Sequence, residues 1–80
     1  MQRYFFHTQT DTRFTDVEGL VLEGPVQARS QAIQTCGQMM ADAPEGFWGS
    51  RPRTVTVTNF AGLVLWEICM DGVTCSPALA

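Results

Sequence analysis

The segment Thr54-Val55-Thr56-Val57-Thr58 alternates strictly between threonine and valine. Successive side chains of a strand point to opposite faces, so this period of two predicts a strand with one buried face and one wet face. Asn59-Phe60-Ala61-Gly62 follows as a turn, and Leu63 to Met70 reads as a second, very apolar strand. Two such runs around a short turn predict a hairpin.

The beginning of the chain has the same character. Arg3-Tyr4-Phe5-Phe6-His7 sets three aromatics in a row, which favours a strand because aromatic rings pack well on a pleated surface. Alternation places Tyr4 and Phe6 on one face and Arg3, Phe5 and His7 on the other, with aromatics on both. Thr8 to Thr12 reads as a turn, and Arg13 to Thr15 begins the return strand. Asp16-Val17-Glu18-Gly19 has aspartate first and glycine fourth, as a type I turn prefers. Leu20 to Leu22 then resumes an extended run, so the second strand is short or interrupted by a bulge.

Gly24-Pro25 marks a helix start, since proline at the first helical position gives up no useful donor. The helix is expected to run to Met40 or Ala41. Val26, Ala32, Ile33, Cys36, Met39 and Met40 recur at helical spacing, which predicts a face with Ile33, Cys36 and Met40 against the sheet. Asp42 to Arg53 holds two prolines and two glycines and reads as a loop. The order strand, strand, helix, strand, strand predicts an α+β fold. It is a ββαββ arrangement, with a four-stranded antiparallel sheet and one helix packed on one face. Residues 1–70 are expected to form a single domain, with 71–80 as a C-terminal tail.

The opening Arg-Tyr-Phe-Phe-His motif, the Asp-x-Glu-Gly turn at 16–19, the helix and the late hairpin fall in one order. In that order they resemble a family of short bacterial proteins known only as a domain of unknown function. The resemblance spans residues 3 to 68, and the opening motif is its specific part. It implies the fold and supplies no activity, cofactor or catalytic residue.

Composition narrows the function. The net charge is -3, and every one of the five cations is an arginine. A nucleic-acid binder needs a basic face to neutralise phosphates, and scattered arginines against eight carboxylates disfavour one. The apolar run from Phe60 to Trp66 is too short to span a bilayer, and no secretory signal is recognisable. Cys36, Cys69 and Cys75 are odd in number and irregularly spaced, which suits reduced thiols in a cytoplasm.

Few residues suggest chemistry. His7 is the lone histidine and a candidate titrating site. No His or Cys spacing predicts a metal site, no nucleophile has an identifiable base, and no catalytic residue or cofactor is assigned. His7 is therefore expected to be a strand histidine bonded to a neighbouring backbone group or carboxylate. Phe47, Trp48, Arg51 and Arg53 form the stretch most suggestive of binding, since aromatics beside arginines stack on bases or clamp acidic peptides. The competing expectation is that Phe47 and Trp48 cover an end of the core. The last strand is apolar on both faces, with Val64, Trp66, Ile68 and Met70 on one and Leu63, Leu65 and Cys69 on the other. One helix covers one face of a sheet, so the surplus at Trp66, Ile68 and Met70 predicts a protein partner, most simply a second copy. The reading is a cytoplasmic, non-enzymatic interaction domain. Its alternatives are a nucleic-acid module using the Phe47–Arg53 loop and a small ligand-binding or enzymatic domain centred on His7.

Overall fold

A computed structural model of the chain describes residues 1–44, 48 and 52–76. The elements are β1 (Gln2–Gln9), β2 (Arg13–Phe14), β3 (Leu20–Leu22), α1 (Pro25–Asp42), β4 (Arg53–Asn59) and β5 (Val64–Met70). All strand pairs are antiparallel, and the sheet runs β2-β1-β4-β5 with β3 on the same edge of β1 as β2. The return strand after β1 is thus present as two short pieces. β3 pairs with Gln2, Arg3 and Tyr4, and β2 pairs with Thr8 and Gln9. Between them, residues 5–7 of β1 meet the Asp16–Gly19 turn in place of a strand.

The registers fix the faces. Val57 lies opposite both Phe6 and Trp66, and Val55 lies opposite both Thr8 and Ile68. The buried core consists of Tyr4, Phe6, Val55, Val57 and Met70 from the sheet and Ala28, Ala32 and Cys36 from α1. The alternation in β4 is realised as expected: Val55 and Val57 are fully buried.

The helix face differs from the sequence-based expectation. Cys36 is buried, but Ile33 is 62% exposed, Met40 42% and Val26 66%. The residues turned to the sheet are Ala28, Ala32 and Cys36, with Met39 packed beside them. The reason is steric. Tyr4 and Phe6 project large rings from the sheet, and a close-packed interior opposes large side chains with small ones. Alanine brings α1 close to the sheet, whereas Ile33 in that position would hold it away.

The last strand also departs from strict alternation. Val57 pairs with Trp66 but Thr58 pairs with Val64, so Leu65 is an extra residue, a β-bulge. Leu65 consequently packs against the core beside Trp66 and Ile68, while Val64 joins Thr58 on the sheet face opposite α1. The intervening turn is closed by Asn59, whose Oδ1 accepts from the N–H groups of Ala61 (2.9 Å) and Leu63 (3.0 Å).

Candidate functional site

β5 is the last strand of the sheet, so its outer backbone groups have no strand partner among the described residues. Such an edge is a ready template for pairing with another chain. Above it, α1 does not reach far enough to cover the sheet margin. A cleft of ≈ 300 Å³ opens there, lined by Arg29, Ala32, Ile33, Trp66, Glu67 and Ile68. Its floor is apolar. Its one charged side chain on the α1 side is Arg29, whereas Glu67 lines the cleft where β5 passes its rim and turns its carboxylate to the open sheet face with Thr56. The Arg29 guanidinium stands 5.8 Å from the centroid of the Trp66 ring, in cation–π contact. Glu67 accepts a hydrogen bond from Thr56 Oγ1 at 3.1 Å. The opposite flank of α1 carries a polar hollow of ≈ 330 Å³ among Gln31, Gln34, Thr35, Gln38, Met39 and Asp42. Gln38 and Asp42 there satisfy each other at 2.6 Å.

The predicted binding residues divide. Trp66 and Ile68 meet in the cleft, half-buried, and Met70 is buried in the core. All three lie on the helix side of the sheet, so the apolar surplus of β5 belongs to the margin under α1 and not to the open sheet face. Arg53 opens β4 opposite Met70 and is half-buried. Trp48 is exposed. Phe47 and Arg51 lie outside the described residues, as do the ends of the loop and tail at 45–46, 49–50 and 77–80. Sequence reasoning missed Arg29, Ile33 and Glu67 as cleft residues. Ile33 was absorbed into the expected core stripe, and only the alanines at 28 and 32 hinted that the stripe was turned.

His7 sits on the open face of β1, its ring stacked on Phe5 with centroids 6.4 Å apart. Its Nδ1 accepts from the backbone N–H of Asp16 at 3.0 Å, which requires an unprotonated Nδ1. The proton of the neutral ring is then on Nε2, which donates to Thr58 Oγ1 at 3.2 Å. Both ring nitrogens are committed to holding the turn and the neighbouring strand. The Asp16 carboxylate accepts from Phe6 N–H (3.1 Å) through Oδ2, and from Glu18 N–H (3.1 Å) and Gly19 N–H (3.0 Å) through Oδ1. Burial raises the Asp16 pKa, but those three N–H groups outweigh it, together with the charge His7 carries when protonated, and the net shift is downward. Burial pushes the Cys36 thiol up, which keeps it a neutral core residue. Among the described residues no three or more His, Cys, Asp or Glu side chains gather as a metal site, and no helix is long and apolar enough to cross a membrane.

A family model described as Domain of unknown function (DUF6894) matches residues 3–71, nearly the whole chain, and the chain belongs to that family. No curated protein and no solved structure matches it.

Proposed function

We propose that this family member is a non-enzymatic interaction domain that self-associates through the β5 edge and the cleft beside it. The carrying observation is the coincidence of an unpaired strand edge with an apolar cleft of ≈ 300 Å³ at the same margin. Backbone pairing supplies affinity in such a contact and alternate side chains supply selectivity. The engagement of both His7 nitrogens in structural hydrogen bonds supports the non-enzymatic reading. Three free cysteines, one buried in the core, fit a reducing cytoplasm.

Association entropy takes back several kcal/mol of the gross gain, so the dimer is expected near micromolar Kd. Sedimentation of the unmodified protein across a hundredfold concentration range tests this. Mass should rise from monomer to dimer, little affected by salt. A constant monomer mass up to high micromolar concentration would sink the proposal.

A further inference from the structure

We infer that a second copy docks antiparallel along α1 as well as along β5, with one two-fold axis beside Ile33 and Ile68. This deepens the self-association reading and rests on it.

The exposed large apolar residues of α1 are Val26, Ile33 and Met40, each seven positions from the next. Seven-residue spacing keeps a stripe on one side of a helix over several turns, as in helix–helix seams. The stripe is symmetric about Ile33, near the midpoint of Pro25–Asp42. In an antiparallel pair of copies Ile33 meets Ile33, and Val26 of each copy meets Met40 of the other. The next pair about the same centre is Arg29 and Gly37. A side chain built at Gly37 would meet nothing within 4 Å in its own chain. Glycine is among the poorest residues for a helix interior, and no contact within the chain repays that at Gly37. Across the seam it does: a bare Gly37 leaves room for the long Arg29 side chain of the second copy, which stays over its own Trp66. The two arginines are then offset by eight residues along each helix, about 12 Å of rise, and do not repel at contact.

β5 has the same centre. Beyond the Leu65 bulge its regular part is Trp66 to Met70, with Ile68 in the middle. Antiparallel pairing about Ile68 sets Trp66 against Met70 and Glu67 against Cys69, so the two carboxylates are not directly opposed, which would be destabilising. Ile33 and Ile68 line one cleft, so a single axis serves both elements. The dimensions agree. α1 lies over β4 and β5, and strands are about 4.8 Å apart, so extending the sheet across the β5 edges sets the two helices about 10–14 Å apart. That approaches the 8–10 Å of packed helices, and the projecting Ile33 and Met40 side chains fill the remainder.

The test uses the full chain. Gly37→Leu should leave the dilute monomer folded and no less heat-stable, because leucine is a better helix former and the space is open. The same variant should weaken the dimer at least about tenfold. In a Cys69→Ser, Cys75→Ser background, Ile33→Cys should be joined between copies by a short bis-maleimide, and Gln34→Cys on the far flank should not. A dimer that Gly37→Leu leaves unchanged, or that links equally through positions 33 and 34, overturns the helix seam while the β5 edge reading stands. A monomer at every concentration overturns both.

Discussion

Asp16 holds His7 and its neighbour Phe6 across a break in the sheet. The Asp16 backbone N–H donates to His7 Nδ1, and the Asp16 carboxylate accepts from the N–H of Phe6, the residue next to His7. β3 and β2 leave residues 5–7 of β1 without a strand on the edge away from β4, and an edge N–H that is half-buried needs a partner. One aspartate thus does for β1 what a missing strand residue would do, while its other oxygen closes its own turn on Glu18 and Gly19.

Replacing Asp16 should therefore cost more than an ordinary surface change. Asp16→Ala removes three accepted hydrogen bonds and strands Phe6 N–H, and a loss of about 1–3 kcal/mol is expected. Asp16→Asn retains one side-chain oxygen and should cost less. Urea denaturation at neutral pH measures both, and an Asp16→Ala variant as stable as the parent would contradict the bridging role.

The same carboxylate sets an acid limit. Its pKa in the folded protein lies below the ordinary carboxylate value, so the folded state binds the proton less readily than the unfolded chain. Its contribution is fully present above the unfolded pKa, near 4, and is lost as pH falls through the lower folded value. Stability should drop below about pH 4, and the drop should be shallower in Asp16→Asn. Parallel pH titrations of the two proteins that superimpose would refute the assignment.

Gly19 carries the other half of the turn. Its φ is +70°, and a Cβ there would lie 2.8 Å from the Tyr4 carbonyl oxygen and 2.9 Å from Arg3 Cγ. Gly19→Ala meets both a left-handed backbone and a backbone clash, and about 2 kcal/mol or more of destabilisation is expected. Gly37→Ala is the control, at a helical position with open space, and should stabilise the monomer slightly. Equal thermal shifts for the two variants would rule this out.

Much of this fold is legible in the chain because its signals are local. The Thr-Val alternation of β4, the Gly-Pro helix start and the Asp-x-Glu-Gly turn each read correctly within a few residues. What is not local was not legible. The Leu65 bulge depends on how β5 registers against β4, and shifts which apolar residues of the last strand reach the core. The role of His7 depends on Thr58, fifty-one positions away. The rotation of α1 depends on the size of Tyr4 and Phe6 across the interface.

That rotation makes the clearest last prediction, because the sequence alone points the other way. Read by size and spacing, Ile33 is a core residue whose truncation costs several kcal/mol. In the structure it is exposed, and Ala32 beside it is buried against the sheet. Ile33→Ala removes a side chain already in water and substitutes a better helix former, so the dilute monomer should change by no more than about 0.5 kcal/mol. Ala32→Leu forces three extra carbons between α1 and the sheet beneath it, and overpacking of this kind costs about 1–3 kcal/mol. Denaturation midpoints of the two variants at submicromolar concentration decide the matter. A larger loss in Ile33→Ala than in Ala32→Leu would return Ile33 to the core and close the cleft on which the self-association reading depends.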